Sequence, residues 1–549
     1  MGRSDLSDRS LSRREFLSRV AGGTAAIALA GTLRAAAPSR AAAPTGATRK
    51  PNIIVVECDS MDGRAMGCMG LAAASTPNFD RLAARGALFR NTYTNSPQCC
   101  PSRASMWSGK HTHLCEGWSN NKGLEPKDPT FQNDLEAAGY RFVTYGKLDY
   151  RSGGHAGDKL SIWTRSAGIE IPQKGRPKGV VQEKPTGKSL SERQKVTQCI
   201  DWLKKEAPKN NAPFFLYCGL GTPHPPYVTS REWYDKIAPA KVTVPPYEEK
   251  LHPVMEYMSL TKSTLGKFSE QEIREIRRVY YGMIADLDDN VGRLAKAMDE
   301  AGLADSTYFI FISDHGDMNM THRQYLKNAL YEGSARVPMI IAGPSVKAGT
   351  QVEALVSLLD LYPTFMDVAG LPHPAWLNGH SLMPEMRGEK SGRPDWVFSQ
   401  YHSNMAETGI FMLRRGDWKY IAYAGYEPQL FNLKDDPEEM RNLAAARPEI
   451  VKDMDARLRA ICDYDAVDAK VKAYDKKCFT EYRAEIGSEA VRKELARNYK
   501  GWGPEQDRQI HRWLGEPEDM PPIPPSTASS KEPAPQKKKK KKAKDTADE

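Results

Sequence analysis

Along this 549-residue chain, short apolar runs end repeatedly in knots of polar residues. Residues 52–57 lead into Cys58-Asp59-Ser60, and 140–145 into Gly146-Lys147-Leu148-Asp149; 214–220 lead into Thr222-Pro223-His224, and 308–313 into Asp314-His315-Gly316. Continuous apolar runs of this length read as strands buried on both faces, and polar residues gathered at their carboxyl ends are the pattern of a parallel sheet with a site at that edge. Helical periodicity alternates with the runs. Ser269 and Glu272 form a capping box, after which Ile273, Ile276, Val279, Met283 and Leu287 recur at helical spacing on the way to Gly302. Val196, Cys199, Ile200 and Leu203 make a second stripe, also read as a core face.

Past about residue 395 the pattern changes. Residues 410–413 and 418–423 read as strands about a Gly416 turn, 430–433 as a further strand ahead of Asp435-Asp436-Pro437, and 449–513 as a polar helical region. The expectation is a large α/β catalytic domain over 44–395 and a smaller antiparallel α+β subdomain over 396–519.

The two ends alter the picture of charge. Arg13-Arg14, an apolar stretch from 20 to 33 and the Ala-x-Ala sites before Pro44 read as a twin-arginine (Tat) export signal over 1–43, too short and too rich in small residues for a membrane anchor. Residues 520–549 finish in a lysine run and read as a disordered tail. Each end carries +4 of the formal +9, which leaves +1 for the body. Charge therefore gives no reason to expect a nucleic-acid partner, and the chain is not read as an integral membrane protein. Periplasmic or secreted localisation in a bacterium follows from the leader. The nine cysteines show no paired zinc spacing and define no disulfide pairing.

One cysteine stands in a specific setting. Cys99-Cys100-Pro101-Ser102-Arg103 leads into Ala104-Ser105-Met106-Trp107-Ser108-Gly109-Lys110. A proline at the first position of a helix puts Cys99 at the helix N-terminus, where free N–H groups and the helix dipole favour an anion. The segment matches throughout the signature of the sulfatase family, Cys-x-Pro-Ser-Arg followed by a small-residue turn and Ser/Thr-Gly-Arg/Lys. The resemblance continues through Lys50-Pro51-Asn52-Ile53, Asp314-His315-Gly316, Lys327, Tyr331-Glu332 and the stretch from Leu430-Phe431-Asn432-Leu433 to Asn442-Leu443.

That resemblance implies an alkaline-phosphatase-like fold and hydrolysis of a sulfate ester. It implies that a formylglycine-generating enzyme oxidises Cys99 to formylglycine, and that one divalent cation, Ca²⁺ in this family, is held by Asp59, Asp314, His315 and the modified Cys99. Arg103 would orient the formylglycine, and Lys147, His224 and Lys327 would contact sulfate. Many members carry Asp-Asp and Asp-Asn where this chain has Asp59-Ser60 and Asp314-His315, so His315 takes the fourth ligand position with Ser60 as the alternative. Asp149 stands where many members carry a histidine two residues after the lysine, and is expected to replace it as the base for sulfate expulsion.

Lys147-Leu148-Asp149-Tyr150, His252-Pro253-Val254 and His322-Arg323-Gln324 resemble the glucuronate-2-sulfatase branch of the family. By that resemblance the substrate is a 2-O-sulfated uronic acid in a sulfated oligo- or polysaccharide, with His252 at the leaving oxygen and His322 and His402 as further substrate contacts. His373, His380 and His511 carry no such signal and are read as structural. Two rivals remain: a same-fold phosphatase or phosphodiesterase, which would use Thr or Ser and two metals, and a sulfated-glycan binder in which Cys99 stays a thiol.

Overall fold

The four runs expected to be strands lie side by side. A computed structural model describes residues 49–517 except 154–158, 170–174, 186, 249 and 500. The leader over 1–43 and the tail over 520–549 lie outside the described residues. The strands are β1 (Asn52–Asp59), β2 (Ala87–Tyr93), β3 (Arg141–Gly146), β4 (Val180–Gln182), β5 (Phe214–Pro223), β6 (Val228–Ser230), β7 (Thr307–Ser313), β8 (Arg336–Ala342) and β9 (Thr350–Ser357), followed by β10 (Trp396–Tyr401), β11 (Ile410–Arg415), β12 (Trp418–Tyr423) and β13 (Tyr426–Asn432). A seven-stranded sheet runs in the order β3-β5-β1-β7-β8-β2-β9. Its first four strands are mutually parallel, whereas β8 runs antiparallel to both β7 and β2. The sheet is therefore mixed, and every polar knot seen in the sequence belongs to its parallel half.

The principal helices are α1 (Pro77–Arg85), α2 (Cys99–Ser108), α3 (Phe131–Ala137), α4 (Lys188–Lys205), α5 (Pro253–Thr261), α6 (Glu270–Glu300), α7 (Leu361–Ala369), α8 (Pro448–Ile461), α9 (Tyr464–Ile486), α10 (Ser488–Asn498) and α11 (Pro504–Leu514). Side chains alternate across a strand, so β1 feeds two cores. Ile54, Val56 and Cys58 join Phe79 of α1, Leu203 of α4 and Val279 of α6 on one face. Ile53 and Val55 join Trp107 of α2, Phe131 of α3 and Phe365 of α7 on the other. The capping box expected at Ser269 is formed, with Ser269 Oγ accepting from the Glu272 amide at 3.2 Å.

The C-terminal region adds a four-stranded antiparallel sheet in the order β10-β11-β12-β13. Arg415 pairs with Trp418 across the turn at Gly416, whose φ of 55° suits glycine. One face, with Val397, Ile410, Met412 and Ile421, shares a core with Tyr93 of β2 and Met255 of α5. The other packs Phe398, Phe411 and Leu413 on Met454 and Leu458 of α8. All nine cysteines are free thiols. No helix among the described residues is long and apolar enough to cross a membrane.

Candidate active site

The carboxyl ends of β1 and β7 meet the amino end of α2. Asp59 has the parity of Ile53 and Val55, so its side chain falls on the face that α2 covers. Asp314 follows the last residue of β7 and lies on the same side. Cys99 is the first residue of α2, and Pro101 occupies the third position rather than the first that the sequence suggested. The shift costs nothing, because the first-turn amides of a helix have no intrahelical acceptor. Every residue of α2 is buried.

Asp59, Cys99, Asp314 and His315 each offer a ligand atom, and these atoms lie within 4.8 Å of one another. Cys99 Sγ is 3.3 Å from His315 Nε2 and 3.9 Å from both Asp59 carboxylate oxygens. His315 Nε2 is 3.5 Å from Asp59 Oδ1 and 3.6 Å from Asp314 Oδ1. His315 Nδ1 donates to the Gly316 carbonyl at 2.9 Å, which fixes the tautomer and turns the Nε2 lone pair toward the cluster. Ser60, at φ 70°, donates its hydroxyl to Asp59 Oδ1 at 3.0 Å and its amide to Asp314 Oδ1 at 3.3 Å. It braces the two carboxylates.

Cations ring this cluster. Lys147 Nζ lies 2.6 Å from Asp59 Oδ2 and 3.0 Å from Asp149 Oδ2. Lys327 Nζ donates to His224 Nε2 at 2.5 Å, while His224 Nδ1 donates to the Pro225 carbonyl at 2.6 Å. Arg103, four residues along α2 from Cys99, donates from Nε to Asp314 Oδ2 at 2.9 Å and from Nη1 to Tyr217 OH at 3.1 Å and the Lys147 carbonyl at 3.2 Å. Its Nη1 is also 3.3 Å from Glu57 Oε2, with both side chains fully buried.

The electrostatics follow from this arrangement. Burial would raise the Asp59 carboxyl, but Lys147, His224 and Lys327 outweigh it and hold the group well below its ordinary value. Burial and Asp59 likewise push the Cys99 thiol up, and Lys147, Lys327 and His315 overcome them and bring it well down. Burial lowers His315, yet Asp314 and Cys99 raise it on balance. Burial, then Lys327, lowers His224. Asp314 is raised by burial and by Asp59. The centre thus favours positive charge among two carboxylates and a thiol, and presents a directed imidazole lone pair to it. Such a donor set suits one divalent cation.

The structure brings Asp59, Cys99, Arg103, Lys147, Asp149, His224, Asp314, His315 and Lys327 together. The other histidines have different surroundings. His252 caps α5 by accepting from the Val254 amide at 3.3 Å, donates to the Glu427 carbonyl at 2.8 Å and stacks on Tyr423 at 4.0 Å. His322 donates to Glu248 at 3.2 Å and stacks on Tyr331. His402 donates to Gln400 Oε1 at 2.9 Å and meets Phe411 edge-on. Glu57, Ser60's bracing role and Lys188, whose ammonium donates to the His224 carbonyl at 2.7 Å, were not anticipated. A charged residue inside the apolar run of β1 was the available signal for Glu57.

A sequence model of the sulfatase family matches residues 51–371, and one described as N-sulphoglucosamine sulphohydrolase, C-terminal, matches residues 321–463. Arylsulfatase K of Bos taurus is 40% identical over 465 residues, covering 80% of this chain and 86% of the relative. Arylsulfatase K of Homo sapiens is 39% identical over 469 residues, covering 80% and 88%. Among solved structures, the phosphonate monoester hydrolase of Agrobacterium radiobacter superposes with a TM-score of 0.63 at 24% identity, over 77% of this chain and 96% of that one. A 2-O GAG sulfatase superposes at 0.62 and 24% identity, over 77% and 94%. At such identity the superpositions speak for the fold, which is alkaline-phosphatase-like, whereas the family rests on the sequence matches. With its family model spanning more than half the chain and relatives near 40% identity aligned along most of it, the chain belongs to the sulfatase family and is a sulfuric ester hydrolase.

Proposed function

We propose that this enzyme hydrolyses the 2-O-sulfate of a uronic acid, glucuronate in the first instance, in a sulfated oligo- or polysaccharide, using a formylglycine made from Cys99 by a formylglycine-generating enzyme and one Ca²⁺. The observation that carries the reading is the convergence of Asp59, Cys99, Asp314 and His315 within 4.8 Å, ringed by lysines. As a hydrated aldehyde beside the cation, Cys99 would supply an ionised oxygen nucleophile toward sulfur and a second hydroxyl whose loss of a proton releases sulfate. Asp59, Asp314 and His315 would hold that cation, with Ser60 steadying both carboxylates.

The remaining residues bind the ester and move protons. Lys147 and Lys327 are positioned to neutralise sulfate oxygens as charge builds in the transition state. His224 accepts from Lys327 and sets its direction. Arg103 locks Asp314 to α2 and so fixes the cation site relative to Cys99. Asp149, tethered through Lys147, is the base we assign to sulfate release. The substrate choice is supported by the likeness to Arylsulfatase K and the segments around Lys147, His252 and His322. The named relatives are animal proteins and lend nothing to the Tat leader. That reading, with periplasmic or secreted localisation, export by the Tat machinery and the domain limits at 44–395 and 396–519, rests on the sequence.

Mass spectrometry of the Cys99 peptide tests the chemistry. Conversion replaces the thiol by an aldehyde that reacts with a hydrazide probe, and fully active enzyme carrying only intact thiol would reject it. Cys99→Ala is expected to abolish sulfate release, while Cys100→Ala retains measurable activity.

A further inference from the structure

Lys188 opens α4, which starts after Gly187 at φ 54°. Its side chain runs past the end of β5, where a Cβ built on Gly221 would lie 3.3 Å from Lys188 Cε. The ammonium reaches the His224 carbonyl at 2.7 Å and lies within electrostatic range of Asp59, Lys147 and Lys327. It is a partly exposed cation at the rim of the cluster. The nearby carboxylates are already engaged: Glu192 pairs with Lys195 at 2.9 Å and accepts from the Gly221 amide at 2.9 Å, and Asp59 pairs with Lys147 at 2.6 Å. Burial, with Lys147 and Lys327, holds Lys188 below its ordinary value against the opposing pull of Asp59 and Glu192.

The same ammonium borders a cavity of about 230 Å³ that shares Thr222 and Pro226 with the His224 loop. Thr229 and Ser230 of β6 also stand on its wall, both over nine-tenths buried. Asp286, also on the wall, accepts from Ser189 Oγ at 2.6 Å and could take a further hydroxyl donor. A cation beside a cavity whose wall carries a carboxylate able to take a hydroxyl donor is the chemistry that receives an acidic sugar.

We infer that Lys188 is the specificity-determining contact for a substrate carboxylate, and that the cavity beside it takes the hydroxyls of the same sugar. Sulfate held by Lys147 and Lys327 and a carboxylate held by Lys188 define a ligand with two anionic groups on one ring. This rests on the uronate reading above and names the residue that enforces it. A neutral sulfated hexose would leave Lys188 without its counter-ion.

The test is a ratio of kcat/KM values, for a 2-O-sulfated uronate against its carboxyl-reduced counterpart. In the wild-type enzyme the ratio is expected to favour the uronate, and in Lys188→Met to fall by about tenfold or more. Lys188→Arg keeps the charge and is expected to keep most of the ratio. Because both substrates carry the same sulfate, a general loss of activity cancels. A wild-type preference for the uronate that survives in Lys188→Met overturns the assignment to Lys188 alone. Failure of the wild type to prefer the uronate, with sulfate still released from 4-nitrocatechol sulfate, overturns the substrate reading and this inference with it.

Discussion

A carboxyl group at position 57 is a fault in a strand that only has to fold, because β1 is buried along its whole length. Two residues of strand and four of helix advance by similar distances, about 6–7 Å. Asp59 facing Cys99 therefore sets Glu57 facing Arg103. The guanidinium lies between Glu57 and Asp314, and burial pushes the Glu57 carboxyl up to about 8. Replacing Glu57 by Leu removes the polar side chain that β1 sets against the Arg103 guanidinium in a dry interior and is expected to lower kcat/KM by about a hundredfold. Gln at the same position keeps a polar side chain of the same shape beside the guanidinium and is expected to lose about tenfold or less. Steady-state kinetics with thermal melts separate a displaced Arg103 from a general loss of stability; equal losses in the two variants would contradict the pairing argument. Legibility at this scale follows motif strength. Cys99, Arg103, Asp314 and Lys327 sit in recognisable local patterns, whereas Lys188 lies among Lys178, Lys184 and Lys195, and nothing local singles it out. His252 shows the converse: its segment resembles the family, yet its stacking on Tyr423 depends on a residue far away in the chain.

At the scale of elements, the position of Lys147 is decided by two glycines on neighbouring strands. Gly146 pairs with Gly219, and the Lys147 amide donates to the Gly219 carbonyl at 2.9 Å. A Cβ on Gly219 would lie 1.9 Å from the Lys147 carbonyl oxygen, and one on Gly146, at φ 90°, 2.0 Å from the Gly219 oxygen. Gly219→Ala must push the two chain segments apart and swing Lys147 away from Asp59. We expect a cost of about 3 kcal/mol in stability and an activity loss beyond what the melt explains. Denaturant titration beside kinetics checks both, and wild-type behaviour in either would show that the strands separate without moving the lysine. The parallel half of the sheet was legible because its strands are apolar and end in polar knots. The run of β2 is interrupted by Arg90-Asn91 at a break in register, and β8 and β9 end in no such knot, so the mixed half left little trace in the pattern.

On the scale of the whole molecule, Glu332 ties the two sheets together. It pairs with Lys419 of β12 at 3.0 Å and Arg336 of β8 at 3.3 Å, and accepts from Tyr93 OH of β2 at 2.7 Å. Lys419 is fully buried and also pairs with Glu439 at 2.7 Å. Burial would raise the Glu332 carboxyl, but Lys419, Arg414 and Arg336 hold it well below the usual range. A carboxylate depressed in the folded state contributes stability that is present above its unfolded value of about 4.3 and is lost as pH falls toward the folded one. Glu332→Gln is therefore expected to destabilise by about 3 kcal/mol at pH 7 and by progressively less as pH drops below about 4. Denaturation of both proteins across that range reads the difference, and a gap that stays constant with pH would exclude the ionised hub. No pattern of apolar and polar positions announces such a hub, because its members are scattered from Tyr93 to Glu439 and meet only once both sheets exist.

The complete burial of α2 sets an order of events. Cys99 is 2% exposed, and the proline and arginine that follow it are equally sequestered. On the reading proposed for Cys99, an enzyme that must grip this stretch can do so only while the chain is open, so oxidation and folding compete for the same few residues. A molecule that folds first keeps its thiol for as long as it stays folded, correct in shape and silent in catalysis. Specific activity would then record the life history of each chain rather than its sequence, and a leader that carries folded cargo would settle the outcome before the protein ever leaves the cell.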